Sequence, residues 1–357
     1  MSSAPALPAP RVRFWSYDAE LPSFRHRLAP LAAELARRGV EVAVERFPKR
    51  RYVRRILERR SPLAATDLLV FAKINLAPLE GWLLRRSVAA AVFDFDDAIF
   101  LRRPRAVGAP PGRSPFRRAK FARSCRAASL VVAGNEFLAD AARQHARRVA
   151  VVPTPVDLER HAGGPPGSAH GQVLVWIGLP ENLPYLELVR PALARLAAER
   201  PGLRLRVVSS RAPAWPEVAV EHVPWSADGE AAALASADVG LMPLTDDDWS
   251  RGKCSFKLLQ YMAAGLPCVA SPVGMNREVV VDGETGLWAP TVEAWEASLR
   301  RLLDSRALRV ALGAAGRELV RTSYDRRVVV PRAVELLLAL VAASGGGVRR
   351  RVRRNGA

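Results

Sequence analysis

Cysteine and histidine are scarce in this sequence, and the few cysteines are widely separated. The chain of 357 residues contains 3 cysteines, Cys125, Cys254 and Cys268, and 5 histidines, with no CxxC or Cys/His spacing. The absence of such spacing excludes a disulfide framework and a zinc site. This cysteine usage is typical of a protein from a reducing cytoplasm.

Long apolar runs are also missing. The longest late run, Ala339 to Ala343 with the leucines before it, is too short to span a bilayer and has Glu335 at its head. The amino end has no basic region followed by an apolar run, so a signal peptide is not expected there. We expect a cytoplasmic protein, either soluble or peripheral at the inner face of the membrane.

Acidic residues are few relative to basic ones. The chain has 35 Asp and Glu against 54 Lys and Arg, which gives a formal net charge of +19 and a pI near 11.1. This excess favours an anionic partner, which can be a nucleotide, a nucleic acid or an acidic membrane face. No helix-turn-helix or aromatic-basic RNA-binding signature accompanies the charge, so nucleic acid is not expected as a partner.

Strand and helix patterns alternate along the chain, which is typical of parallel α/β domains, and the length fits two of them. Apolar runs predict strands such as VRFWSYD and SLVVAGN in the first half and QVLVWIG and LPCVAS in the second, and Gly39 is placed to end the first long helix. The composition predicts a Rossmann-like domain over 1–160, a linker over 161–171, a second Rossmann-like domain over 172–330, a C-terminal helix over 331–343 and a disordered basic tail over 344–357.

The stretch DDDWSRGKCSFKLLQYMAAGLPCVASPVGMNREVVVDGETGLW, residues 246–288, places three cations where a helix begins. The first N–H groups of a helix have no partner within it and attract anions. Arg251, Lys253 and Lys257 would therefore repel the helix terminus unless an anion lay between them. A phosphate site and a solvated basic turn both fit these residues. The run LMPL before them predicts a strand, and ligands of parallel sheets bind beyond the carboxyl ends of strands.

Part of this stretch, KLLQYMAAGLPCVASPVGMNREVVVDGETGLW, resembles the donor-binding region of glycosyltransferase family 4, whose members have the GT-B fold. Weaker similarities lie in PSFRHRLAPLAAELARRGVEV, VFDFDDAIF and VVPTPVDLER in the first half and in ADVGLMPL in the second. The resemblance implies two Rossmann-like α/β domains facing across a cleft, with the C-terminal helix returning to the first domain. It also implies sugar transfer from a nucleotide-diphosphate donor, with retention and without metal or other cofactor.

On this resemblance the second domain holds the donor. Lys257 matches a lysine aimed at the diphosphate, Glu278 matches the glutamate beside the sugar, and Trp225 lies where relatives place the donor base. The structural alternatives are a lysine extended from a helix, a helix-capping carboxylate and a core aromatic residue. The candidate donor-binding residues are Arg251, Lys253, Lys257, Gln260, Glu278, Asn276, Gly274 and Trp225.

The first domain is implied to hold the acceptor, a glycan or a lipid-linked molecule. Asp94, Asp96 and Asp97 in VFDFDDAIF end an apolar strand. A metal-binding DxD and a haloacid-dehalogenase nucleophile are competing interpretations, but the phosphatase motif has a threonine or valine after its second aspartate. The structural alternatives are helix capping for Asp96 or Asp97 and a surface position for His26. The candidates in this domain are Asp96, Asp97 and His26 for catalysis and Ser23 and Arg25 for an acceptor or phosphate loop.

Two departures from the family pattern affect the prediction. The carboxylates that relatives space eight residues apart would fall at Gly252 and Gln260, and the loop IGLPENLPYLELV lacks the usual arginine and lysine. Gln260 can still hydrogen-bond ribose hydroxyls, because its amide carries both donors and an acceptor. A non-catalytic GT-B scaffold, or a glycan- or nucleotide-binding protein, is the alternative function.

Two basic stretches in the first domain favour an anionic membrane surface as a further partner. KRRYVRRILERR, from Lys49, alternates apolar and basic residues at helical spacing, and RRPRAVGAPPGRSPFRRAKFARSCR contains no acidic residue. Anionic headgroups attract such surfaces at roughly 1 kcal/mol per nearby cation. A peripheral position beside a lipid-linked acceptor is one hypothesis, and an arginine-rich solvated surface is the other.

Overall fold

The computed structural model describes residues 9–18, 21–47, 66–161 and 172–354, except for the side chains of 345–354. Tertiary contacts divide the chain into two units. The first comprises Met1–Arg102, Arg113–Pro155 and Val329–Ala357, and the second comprises Arg103–Gly112 and Val156–Val328. The basic stretch from Lys49 and almost all of the predicted linker lie outside the described residues.

The first unit is built on a six-stranded parallel sheet. Its strands are β1 Arg11–Ser16, β2 Glu41–Arg46, β3 Leu68–Ala72, β4 Ala90–Phe95, β7 Leu130–Ala133 and β8 Val149–Val151, and a separate short ladder pairs β5 Leu101–Arg102 with β6 Gly112–Arg113. The order in the sheet is β2-β1-β3-β4-β7-β8. It reverses between β1 and β3, and such a switch point is where open α/β sheets bind ligands.

Helices pack on both faces of this sheet. On one face, Leu35 and Val334 share an apolar core with Val70. On the other face, the Phe121 ring lies 6.0 Å from the Phe93 ring, centroid to centroid. This double coverage explains why every residue of β3 and β4 is buried and why all of them except Asp94 are apolar. The helices are Phe24–Leu28, which is a π-helical turn, Ala29–Arg37, Pro78–Ser87, Pro115–Ala127, Glu136–Arg143 and the last helix of the chain, Arg326–Arg354.

The last helix differs from the prediction at both ends. It runs from Arg326 to Arg354, whereas the sequence predicted a start at Pro331 and an end at 343 before a disordered tail. The buried Asp325 carboxylate accepts the N–H of Arg327 at 2.7 Å and so caps the helix ahead of the proline. The glycines after Ser344 do not end it, because each costs only about 1 kcal/mol relative to alanine. Its apolar residues pack in the first unit, as predicted.

The second unit also contains a six-stranded parallel sheet. Its strands are β9 Val173–Ile177, β10 Arg204–Val208, β11 Ala219–Val223, β12 Val239–Met242, β13 Cys268–Ala270 and β14 Leu287–Trp288. The order β11-β10-β9-β12-β13-β14 is that of a Rossmann fold and reverses between β9 and β12. The helical segments are Glu159–His161, Pro180–Leu188, Arg190–Glu199, Gly229–Ala235, Asp248–Arg251, Phe256–Ala263, Asn276–Val279, Val292–Asp304, Arg306–Leu319 and Val320–Tyr324.

The boundary between the units lies after Pro155 and not at the predicted residue 160. Val156 forms a bridge with Asp325, and its carbonyl accepts the N–H of Arg326 at 2.9 Å. These bonds attach the segment after Pro155 to the second unit. No helix within the described residues combines the length and the apolar composition that crossing a membrane requires.

Candidate functional site

The switch point of the second sheet carries a lysine in a space left by a glycine. β9 ends at Ile177, and Gly178 follows it. A Cβ at Gly178 would lie 2.8 Å from Lys257 Nζ and 2.9 Å from the ring of Trp176. The missing side chain therefore makes room for the Lys257 ammonium beside the carboxyl end of β9.

Lys257 is a half-buried cation in the first turn of the helix Phe256–Ala263. Its Nζ lies 4.1 Å from the centroid of the Trp176 ring, a cation–π contact. Burial lowers the pKa of Lys257 well below its usual value, and the charges of Lys253 and Arg103 lower it further. Among the described residues, no carboxylate lies within ion-pairing distance of this ammonium. An anionic ligand would relieve the cost of this buried charge.

Two further cations meet beside Lys257 at one asparagine. Asn182 Oδ1 accepts from Lys253 Nζ at 3.2 Å and from Arg103 Nη2 at 3.1 Å. We call Arg103, Lys253 and Lys257 the cation cluster. Both lysines were predicted from the sequence, but Arg103 was not, because it reaches the site from the distant segment 103–112 and has no local motif.

Arg251 differs from these cations because it already has acidic partners. Its guanidinium pairs with Asp246 at 2.8 Å and with Asp248 at 3.4 Å, and it is exposed. The backbone of Arg251 lies close to Gly274. A Cβ at Gly274, where φ is +52°, would lie 2.8 Å from Arg251 Cα. Gly274 thus permits its loop to approach the end of the helix Asp248–Arg251 closely.

Asn276 has a structural role at the start of the Lys257 helix. Ser255, with φ of +50°, precedes that helix, and its hydroxyl donates to Asn276 Oδ1 at 2.7 Å. The amide of the buried Asn276 donates to the carbonyl of Ser271 at 2.9 Å. Asn276 therefore fixes the start of the helix from which Lys257 projects. Glu278 is exposed, and its charge adds to the effect of burial in raising the pKa of Tyr324.

Gln260 belongs to a hydrogen-bonded chain that the sequence did not predict. Its amide donates to Glu230 Oε1 at 2.5 Å, and Trp225 Nε1 donates to Glu230 Oε2 at 2.7 Å. Gln260 and Glu230 are buried, whereas Trp225 is 39% exposed. Glu230 lies on the helix Gly229–Ala235, so its approach to Gln260 depends on tertiary packing. Tyr261, the next residue along this helix, is fully buried and donates to the carbonyl of Leu241.

The switch point of the first sheet carries a second cluster, centred on Lys73. Lys73 follows β3 with φ of 53°, and its Nζ lies 2.5 Å from Asp96 Oδ1 and 2.5 Å from Asp97 Oδ2. Burial acts against the Lys73 charge, but the two carboxylates outweigh it and raise the pKa of the ammonium. Burial also raises the pKa of Asp96. Both aspartates were predicted as site residues from the sequence, but the lysine between them was not.

The other candidates of the first unit lie near β1. Arg27, which was not predicted as a site residue, forms a buried ion pair with Asp94 at 2.8 Å. Ser23, Arg25 and His26 lie at or within the turn Phe24–Leu28 and are half-buried. The structure therefore uses Asp94 to hold this turn against the sheet. Within the described ranges, no group of three His, Cys, Asp or Glu side chains is arranged to hold a metal ion.

The doubly wound parallel sheets define the class of the protein, and solved structures with the GT-B fold match it. Sucrose-phosphate synthase from Thermosynechococcus elongatus superposes with a TM-score of 0.70 at 16% identity, covering 94% of this chain and 100% of that one. HepE from Anabaena, solved in complex with UDP and glucose, gives a TM-score of 0.64 at 13% identity over 91% and 98% of the two chains. The predicted GT-B fold is confirmed.

Part of the second unit matches a known family in sequence. Residues 171–305 match the family described as Glycosyl transferases group 1. The phosphatidyl-myo-inositol mannosyltransferase of Mycobacterium leprae is 36% identical over 136 residues, 36% of this chain and 35% of that protein. The D-inositol 3-phosphate glycosyltransferase of Kineococcus radiotolerans is 32% identical over 206 residues, 47% and 46% of the two. These matches span less than half of either relative. The predicted resemblance to glycosyltransferases is confirmed over this region.

Proposed function

We propose that this protein is a glycosyltransferase that moves a sugar from a nucleotide-diphosphate donor to a hydroxyl of a glycan or lipid-linked acceptor. The observation that carries the proposal is the cation cluster at the switch point between β9 and β12. Its two lysines lie within the region that matches the Glycosyl transferases group 1 family. The solved HepE complex, which contains UDP and glucose, is a precedent for such a donor on this fold.

The cation cluster supplies what departure of a nucleoside diphosphate requires. The bond between the anomeric carbon and a phosphate oxygen breaks, and negative charge develops on that oxygen. Preorganised cations stabilise this charge without a metal ion. The acceptor oxygen bonds to the anomeric carbon on the same face, and its proton passes to the departing phosphate oxygen. We propose retention of configuration on this basis, since no separate base is then needed.

Asp97 is the proposed contact for the acceptor hydroxyl in the first unit. Its side chain is 44% exposed and is held by Lys73, which also contacts the less exposed Asp96. Because the Lys73 ammonium already lies against both carboxylates and offsets part of their charge, they are poor ligands for a divalent cation. Asp97 accepts a hydrogen bond from the acceptor in this proposal, Asp96 positions Lys73, and His26 is a further candidate contact.

Of the two acceptor classes, a lipid-linked molecule is supported by a surface of the first unit. Trp82 is 44% exposed with Arg86 4.4 Å from its ring, and Phe116 is 66% exposed with Lys120 4.5 Å from its ring. The two helices that carry them contact each other, and no acidic residue occurs from 98 to 135. Exposed aromatic rings beside cations suit the interface of an anionic membrane. One matched relative is named for a lipid, phosphatidyl-myo-inositol.

A panel of nucleotide sugars tests the proposal by thermal unfolding with and without EDTA. A ligand that binds only the folded state raises the unfolding midpoint. We expect at least one nucleotide sugar to do so, with the same shift in EDTA. Binding without any turnover would favour the non-catalytic alternative. Steeply salt-dependent binding to duplex DNA, without competition by nucleotides, would indicate a nucleic-acid-binding protein instead.

A further inference from the structure

The surroundings of Lys257 favour the neutral amine over the ammonium when no ligand is bound. Its Nζ lies over the Trp176 ring and in the space left by Gly178. The ring face attracts a cation, but burial outweighs this attraction, and the charges of Lys253 and Arg103 act in the same direction as burial. Apolar surroundings and neighbouring cations are the two conditions that make a lysine side chain nucleophilic, because both disfavour its charged form.

Two other lysines of the described residues lack these conditions. Burial disfavours the Lys73 ammonium, but the two carboxylates 2.5 Å from its Nζ raise its pKa. Lys120 is also half-buried beside an aromatic ring, but it has an acidic neighbour: burial raises the pKa of Glu80, and the charge of Lys120 acts against this rise. Of these three lysines, Lys257 is the one whose charged neighbours are all cations.

The consequence of this environment is a more abundant nucleophile near neutral pH. Each unit by which the pKa of an amine falls makes its neutral form about tenfold more abundant, as long as the ammonium still predominates. The accompanying loss of intrinsic nucleophilicity is smaller, about half as large on a logarithmic scale for thiols. Lys257 should therefore react with electrophiles faster than an ordinary lysine.

The rest of the cation cluster determines which electrophile is favoured. Lys253 and Arg103 are held beside Lys257 by Asn182 Oδ1, at 3.2 Å and 3.1 Å. They attract an anion, and in an acyl phosphate the anionic phosphate is bonded directly to the electrophilic carbonyl carbon. A phosphate bound by these cations would bring that carbon to the Lys257 amine. The same cations would stabilise the charge that develops on the departing phosphate.

We propose that Lys257 is a modification site that acyl phosphates acylate directly. The amine lone pair attacks the carbonyl carbon, a C–N bond forms, and the C–O bond to phosphate breaks. The phosphate leaves with that electron pair and takes up the proton released by the nitrogen, so the products are an Nε-acyl-lysine and inorganic phosphate. The inference goes beyond the proposed function, because this reaction needs no donor sugar.

Acylation would also remove the charge of Lys257 and its cation–π contact with Trp176. This consequence rests on the proposed function: the modified protein should bind a diphosphate at least about tenfold more weakly, the scale of one lost charged hydrogen bond. Acyl phosphates would then inhibit the protein through one side chain.

Timed incubation with acetyl phosphate near neutral pH, followed by peptide mass spectrometry, tests the proposal. We expect Lys257 to be acetylated at least about tenfold faster than Lys120, the change in amine abundance for one pKa unit. Acetic anhydride, which carries no charge, should show a smaller preference for Lys257. Inorganic pyrophosphate should slow the reaction of Lys257 with acetyl phosphate and leave that of Lys120 unchanged.

A pair of arginine variants tests the contribution of the cation cluster. Arg103→Gln should slow acetylation of Lys257 by acetyl phosphate several-fold, because it removes both a cation that attracts the phosphate and one that disfavours the ammonium. Arg105→Gln is the matched control, since Arg105 is an exposed arginine of the same segment 103–112. It should leave the rate at Lys257 unchanged, and both variants should leave the rate at Lys120 unchanged.

The outcomes separate this inference from the proposed function. Acetylation of Lys257 no faster than that of Lys120, an equal preference with acetic anhydride, or an equal effect of the two arginine variants would overturn the modification site. Calorimetry with pyrophosphate on the acetylated protein tests the consequence for binding. Selective acetylation of Lys257 without any loss of pyrophosphate affinity would support the modification site but contradict the proposed role of Lys257 in donor binding.

Discussion

Replacing Lys257 by methionine tests whether the second unit is built to hold a diphosphate. Methionine keeps an unbranched chain over the Trp176 ring and in the space beside Gly178, but it removes the charge. Since Lys257 has no carboxylate partner among the described residues, the variant breaks no ion pair there. The change therefore separates ligand binding from folding.

The structure gives the expected size of both effects. A hydrogen bond to a charged group contributes about 1.5–3 kcal/mol, which corresponds to roughly a 10- to 150-fold weaker binding of nucleoside diphosphate. Removing a half-buried charge that lacks a carboxylate partner among the described residues relieves its partial desolvation. We therefore expect Lys257→Met to unfold at the wild-type midpoint or above it.

Calorimetry with a nucleoside diphosphate and thermal unfolding measure the two quantities. Lys120→Met is the matched control: Lys120 Nζ also lies over an aromatic ring, 4.5 Å from the centroid of Phe116, but in the first unit. It should leave nucleotide affinity unchanged. Unchanged affinity in Lys257→Met, or a loss of affinity accompanied by unfolding, would refute the reasoning.

The pH dependence of binding gives a second readout of Lys257. Its pKa is lowered in the free protein, chiefly by burial, and a bound diphosphate would raise it. Between these two pKa values binding takes up a proton, so wild-type affinity should fall as pH rises. Folding stability should rise in the window between the lowered pKa and the unfolded value of about 10.4, because the unfolded chain there binds the proton that the native state has lost. Lys257→Met should flatten both profiles.

Three further predictions concern other parts of the chain. Gly274→Ala should lower the free energy of unfolding by more than the roughly 1–2 kcal/mol that the left-handed conformation costs an alanine, because its Cβ would meet the backbone of Arg251. Gly283→Ala, at φ of +78° with nothing within 4 Å of its Cβ, should show that conformational cost alone. Denaturant titrations measure both. Asp97→Asn should lower turnover but leave donor affinity, measured by calorimetry, unchanged. EDTA should leave wild-type turnover unchanged. A strict need for Mg²⁺ or Mn²⁺ would support the metal-binding DxD interpretation instead. Sedimentation should detect binding of the wild-type protein to anionic vesicles at low salt, and weaker binding at 1 M salt, where the screening length falls to about 3 Å. Phe116→Gln should reduce this binding about tenfold. A wild type that does not bind anionic vesicles would contradict a membrane role for the charge.

Strand positions could be predicted from the sequence because parallel strands are buried on both faces and so appear as short apolar runs. VRFWSYD and QVLVWIG both contain strands of the structure, β1 and β9. Gly39 was predicted from helix-capping chemistry, and its φ of +80° confirms the left-handed position after the first long helix. These signals are local, so a single segment is enough to reveal them.

The composition of the site could be predicted only in part. Lys253 and Lys257 lie in one motif near a helix start, which is a local signal. Arg103, Glu230 and Lys73 reach their partners through tertiary packing, and nothing in their own segments indicates this. Arg27 was not predicted beside Arg25 and His26 for the same reason, since its ion-pair partner, Asp94, lies in β4, far away in the sequence.

Turnover of a nucleotide sugar tests the central claim most directly. The wild type and Lys257→Met would each be incubated with the nucleotide sugars of the panel and a lipid-linked or glycan acceptor, in EDTA, and release of nucleoside diphosphate would be measured. We predict release from at least one donor by the wild type and a rate at least about tenfold lower for the variant, the scale of one lost charged hydrogen bond. A wild type that binds and turns over no nucleotide sugar, or a variant that equals it, would contradict the account.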